Sequence, residues 1–354
     1  AEAAFGIRPR PRGRRRLVVA ALAATLAAVA TVTAILLGGG DATPTVIPDS
    51  LVKVDLESDK IVSVVPVGRI SGGIGIVGRY VFVASEGDGT LTRVDTHTDA
   101  VVNSGKYDAT GGLAAEGAKR VWVASVRRRR VTSVDATLPL VDLAERISPP
   151  DVPLPRDTAG TSLTVGGGAL WIATYRSPRT GGGGVVERWR LHPLARLRTY
   201  RLRRFEFGND VAFGYGAAWI ALGAPANALL RIDARSGRAR RIPVGGFPLG
   251  LAVGFGSVWV AQKEDGTVRR IDPNTGRTRQ VIAVGHQPNS VAVGQRTILV
   301  TNECDGTVSR IDPATNRVVG TIKPGYHPRD VAVRGGFAWL EVAKDVYFDI
   351  GTCP

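Results

Sequence analysis

The 354-residue chain has no methionine, two cysteines, and aromatic side chains at only 6%. Few bulky residues beside 44 glycines argue against one thick core and for many glycine-punctuated turns. Helical periodicity is absent after the first forty residues, which excludes a helix bundle. Acidic residues fall short of basic ones, leaving a formal charge of +15, of which +5 lies in residues 1–16. No histidine or cysteine cluster has metal-ligand spacing, so no metal site is expected. A chain that opens on Ala1 without methionine is expected to be the back half of a longer protein, a trimmed initiator being the alternative.

What is present begins with "RPRPRGRRR", residues 8–16, followed by the uncharged run Leu17–Leu37 and the Gly/Pro stretch "GGGDATPTVIPDS". Twenty-one uncharged residues span about 30 Å as a helix, the thickness of a bilayer core, and arginines on one side keep that side in the cytosol. Residues 1–16 are therefore expected to be a cytoplasmic segment, 17–37 a transmembrane helix, 38–50 a linker, and 51–354 an extracytoplasmic domain. A secretory signal cleaved after Ala28-Val29-Ala30 is the rival, but it leaves the apolar terminus "TVTAILL".

Within 51–354 a short apolar strand recurs around Phe82, Trp122, Trp171, Trp219, Trp259, Leu299 and Trp339, at steps of 40, 49, 48, 40, 40 and 40. Each is preceded by a "VAVG"-like run, and most are followed by a "GTVxRID"-like run and a further apolar run. Four short alternating strands per unit, about 43 residues each, describe a propeller blade. The segment from Asp49 supplies the last two strands of a unit and the segment ending near Ala343 the first two, so both ends share one blade. The expected fold is an all-β, seven-bladed β-propeller with shared-blade closure, which removes the sheet edge of an open array. Misreading the irregular stretch 127–207 would give six or eight blades instead.

The phrase Asp272-Pro273-Asn274-Thr275-Gly276 recurs at 312–316, 233–237, 95–99 and 55–59. It is turn chemistry: the aspartate accepts backbone N–H groups, and the fifth slot holds residues that tolerate positive φ. One or two acids per turn are too few for a calcium loop. The GxGxxG at Gly73, Gly75 and Gly78 runs from strand into strand, not into a helix, and is not a dinucleotide fingerprint. No cofactor is expected.

"GSVWVAQKEDGTVRRIDPNTGRTRQVIAVGHQP" resembles YVTN-type β-propeller repeats, and with the arginine-flanked anchor it is similar to the C-terminal half of actinobacterial membrane proteins that carry a propeller outside the cell. That resemblance implies a cytosolic activator or kinase domain upstream. The repeats also resemble those of streptogramin lyases, whose catalytic His lies fourteen residues before a Glu in a "PHGI…WFTE" unit. Here Glu303 has Asn289 in that place and Glu86 has Gly72, so the enzyme reading, lyase or hydrolase, ranks second.

Strand order places the loops before each inner strand and after each second strand on one face, the side where function is expected. The residues leading the inner strands are Gly73, Gly112, Ser162, Asp210, Gly250, Ser290 and Asp330. Ser162, Asp210, Ser290 and Asp330, with His286, Asn289, Glu303, His327 and Arg329 from nearby loops, form the candidate site for a small polar ligand or a peptide. Glu86 and Lys263 lie close by. The bland alternative is that these groups satisfy neighbouring backbone and face water. The basic runs 126–131 and 187–204 could meet an anionic wall component, whereas nucleic acid is not an expected partner outside the cell. Cys304 and Cys353 either pair, closing a loop of about fifty residues, or remain thiols.

Overall fold

The computed structural model describes residues 43–69, 72–108, 111–137, 151–176, 182–345 and Cys353. They form seven four-stranded antiparallel sheets, each pairing its strands in sequence order, except one made from both ends of the chain. Blades one to six cover residues 74–106, 113–153, 158–201, 208–243, 248–283 and 288–322. Blade seven joins His327–Arg334 and Phe337–Ala343 to Ser50–Asp55 and Ile61–Pro66. Val52 lies opposite Leu340 and Lys53 opposite Trp339, the pairing that locks the ring. The expected segments 1–16 and 17–37 lie outside the described residues. Among the described residues no helix is long and apolar enough to cross a membrane.

Burial follows the repeat. Phe82, Trp122, Trp171, Trp219, Trp259, Leu299 and Trp339, the middle residues of the second strands, are at most 1% exposed. These side chains sit between adjacent sheets, so each blade hides its apolar face only with a neighbour. Outer strands such as Val101–Lys106 and Thr278–Ala283 face solvent along most of their length.

The inner strands of blades three to seven start three to five residues earlier than the sequence pattern suggests, at Thr158, Gly208, Pro248, Pro288 and His327. A bulge interrupts pairing in each of them, between Gly208 and Asp210 and between Pro328 and Asp330 for example. An extra residue there re-aims the side chains that follow. Asp210 and Asp330 thereby lie within strands, not just ahead of them.

The recurring "RID" phrase has a second purpose. Lys53, Arg93, Arg188, Arg270 and Arg310 on the third strands each reach across to the turn of the following blade. Their head groups donate to the carbonyl oxygens of Thr96, Ala136, Ala234, Pro313 and Leu56 respectively. Arg270 also donates to Asn316 Oδ1 at 2.6 Å and lies 4.9 Å from the Trp259 ring centroid. The turns themselves behave as their sequence demands, with Asp272 Oδ1 accepting from the N–H groups of Asn274 and Thr275, and φ near +75° at Gly276. Arg270→Ala is expected to cost about 2 kcal/mol, because charge-assisted bonds between blades are lost. Urea unfolding checks this; a change under about 0.5 kcal/mol would mean that the clasp is decorative.

Cys304 and Cys353 are joined in a disulfide with Cα atoms 5.1 Å apart, which settles the alternative left open by the sequence.

Candidate ligand-binding site

The start of the inner strands and the turns after the second strands meet around the mouth of the central channel, enclosing a cavity of about 640 Å³. That volume suits a small organic ligand. Of the nine nominated residues, seven line it: Ser162, Asp210, Asn289, Ser290, Glu303, Arg329 and Asp330. His286 and His327 do not. His286 is held at the rim by Asp305, which accepts from its backbone N–H and contacts its Nδ1, both at 2.7 Å. The Nδ1 of His327 is 2.7 Å from the carbonyl oxygen of Glu303.

Two of the seven blades, four and seven, repeat one device. Asp210 accepts from Ser162 Oγ of the preceding blade at 2.8 Å and from the Leu251 N–H of the following blade at 2.9 Å. Asp330 accepts from Ser290 Oγ at 2.6 Å and from the Ile74 N–H at 2.8 Å. Each carboxylate also caps the next residue of its own strand, Val211 or Val331. Asn209 and Asn289 donate in the same way to the carbonyl oxygens of Pro248 and Arg329. The bulged aspartates thus stitch three blades together, as the bland alternative foresaw. Gly250 allows the close approach this needs, since a Cβ there would stand 2.2 Å from the Asn289 carbonyl oxygen.

Beyond this ring, Glu303 is 1% exposed and its Oε1 lies 3.5 Å from Arg329 Nε. Beside it is a residue that the sequence analysis passed over. Glu341 stands in the second strand of blade seven, directly opposite Asp330, is 1% exposed, and lines the cavity. Neither of its carboxyl oxygens has a hydrogen-bond partner. The signal was present in the sequence: the corresponding residue of the first five repeats is alanine, at positions 84, 124, 173, 221 and 261. Glu264, Tyr175, Phe207, Leu249 and Phe247 also line the mouth and were missed. Tyr175 and Phe207 meet edge to face with centroids 4.6 Å apart.

Burial controls protonation here. It pushes Asp210 up to about 6, against the hydrogen bonds from Leu251, Ser162 and Val211. Burial raises Asp330 as well, and it lifts Glu341 well above the usual carboxylate range, helped by the charge of Asp330. Outside the cavity, backbone N–H bonds and Arg279 hold Asp272 at about 2. Raised carboxyls keep protons that the unfolded chain has released, so their contribution to stability declines as pH rises from about 4 through 6 and beyond. Depressed ones such as Asp272 contribute above about 4 and lose that contribution as pH falls towards 2. Chemical denaturation should therefore give greater stability at pH 5 than at pH 8. A rise over that interval would mean that the buried acids are ionised in the folded protein.

Among the described residues no three His, Cys, Asp or Glu side chains form a group able to hold a metal ion. His327 stands fourteen residues before Glu341, the spacing associated above with lyase chemistry, yet its ring is outside the cavity lining.

No protein-family model matches the chain, and no curated protein matches it in sequence. Solved structures do match it in fold. A streptogramin B lyase is 15% identical with a TM-score of 0.62, covering 77% of this chain and 91% of that one. The WD40 β-propeller domain of Doa1 is 12% identical with a TM-score of 0.58, covering 77% and 93%. BamB from Moraxella catarrhalis is 14% identical with a TM-score of 0.53, covering 83% and 91%. These proteins differ from one another in role, and the likeness carries the architecture alone.

Proposed function

We propose that the chain is a ligand-binding propeller, held outside the cytoplasm by the segment 17–37, and that it serves as the outward sensing or interaction module of a signalling or regulatory protein. The observation that carries the binding role is the cavity of about 640 Å³ at the channel mouth, where polar groups from several blades converge against an aromatic wall. The arginine-flanked apolar run supports the anchor. The Cys304–Cys353 bond supports an oxidising, extracytoplasmic setting. Binding is preferred over lyase or hydrolase chemistry because neither His286 nor His327 faces the cavity to move a proton.

The test is a thermal-shift screen of small polar metabolites, peptides and cell-wall fragments against the wild type and Leu249→Trp, which puts a bulkier ring into the mouth from blade five and whose own cooperative melting checks that it folds. A ligand present at a hundred times its Kd should stabilise the wild type by about 2.7 kcal/mol and leave the variant unmoved. Ligands that stabilise both proteins equally would place the site elsewhere.

A further inference from the structure

The charge of the mouth is opposite to that of the chain. Six acidic side chains and two basic ones line the cavity of a protein whose formal charge is +15. Arg329 is already engaged, with Glu303 on one side and the Asp345 carbonyl oxygen on the other at 2.7 Å. Asp210 and Asp330 are spent on backbone groups of neighbouring blades. Glu341 is different. It is almost completely buried, opens on the cavity, and has both oxygens unsatisfied, at a place where the first five repeats carry alanine. A buried polar group without a partner is costly, and replacing a small residue with such a group is the usual mark of a contact made by something else.

The rest of the cavity indicates what that is. Asp330, Glu303 and Asp49 add negative charge around Glu341, and Arg329 opposes them. Tyr175, Phe207 and Phe247 line the part contributed by blades three to five. The volume far exceeds that of a bare ion, and the described acids do not gather into a metal site.

Resting on the mouth being the ligand site, we infer that the cavity binds a small organic cation, with an ammonium or guanidinium group donating to Glu341 and an apolar body against Tyr175, Phe207 and Phe247. Burial and the charges of Asp330, Glu303 and Asp49 raise the Glu341 carboxyl well above the usual carboxylate range, against Arg329, so ionising it to receive a cation releases a proton wherever it is still protonated. An arriving N–H cation supplies the missing charge and donors, and the proton leaves to solvent. Binding therefore tightens as pH rises, by up to about tenfold per unit. A neutral or anionic acceptor would instead bind the protonated acid and show the reverse dependence.

The probes are 2-phenylethylamine, 2-phenylethanol and 3-phenylpropanoate, titrated calorimetrically at pH 6 and pH 8 in buffers of different ionisation heat. The amine should bind, more tightly at pH 8, with release of a proton that the buffer comparison reveals. Glu341→Gln should weaken it by at least about tenfold and abolish the pH dependence. Glu341→Ala restores the residue of the first five repeats, so it keeps the fold and should also lose the amine. Three outcomes overturn the inference: no amine binding, equal or better binding of the alcohol or the carboxylate, or amine binding unaffected by Glu341→Gln. If the alcohol or the carboxylate binds and Leu249→Trp removes it, the mouth stands as a site and only the cation is wrong. If Leu249→Trp has no effect on any ligand found, the site itself is wrong.

Discussion

A chain lacking residues 43–66 is expected to give no folded, soluble monomer, whereas one lacking only 1–42 should fold. Those 24 residues contain the third and outer strands of blade seven, including Leu51, Val52 and Val54, which are fully buried, and Val65 at 3% exposed. At about 1.5–3 kcal/mol each, four such side chains match the entire net stability of an ordinary protein. Their loss also uncovers Trp339, Leu340 and Val342 and leaves Phe337–Ala343 as a free sheet edge, which invites pairing with other chains. Size-exclusion chromatography and circular dichroism of the two truncations make the comparison. Cooperative unfolding of the protein without residues 43–66, with an unchanged midpoint, would show that blade seven does not close the ring.

The second large effect is expected from the disulfide. Cys304 follows the second strand of blade six, and Cys353 lies 49 residues further along. A closed loop of that length removes about 4 kcal/mol of entropy from the unfolded chain in the simplest model. Cys304→Ser should lower the melting temperature on the order of 10 °C, and a reductant should do the same to the wild type but not to the variant. Equal midpoints with and without reductant would remove the bond from the account of stability.

Much of this architecture can be read from spacing alone, because each blade repeats the same solution. The seven large residues from Phe82 to Trp339 mark seven sheets, and the fifth turn slot at Asp59, Asp99, Gly237, Gly276 and Asn316 has the positive φ its residues suggest. The closure follows from the order of half-units at the two ends. Position along the radius of the ring is harder. His286 and His327 come from loops on the proper face, but strand order fixes a face and not a distance from the axis. The bulges before Asp210 and Asp330 were not legible either, since they depend on how tightly seven inner strands crowd together. Glu341 was missed for another reason: alternation assigns its slot to the core, and a strand pattern cannot tell a packed side chain from one that borders a cavity. The aromatic wall comes from three different blades and exists only once the ring is formed.

The pairing of Val52 with Leu340 has a consequence for how the molecule is made. Within the propeller, the strands at 50–66 must wait for those at 327–343, so six sheets can assemble while the seventh remains half built. Contacts separated by almost the whole chain form slowly, and the waiting strands are exposed throughout that time. The seam that gives the finished ring its permanence is thus also the contact of longest sequence separation, the kind that forms late and leaves strand edges uncovered meanwhile.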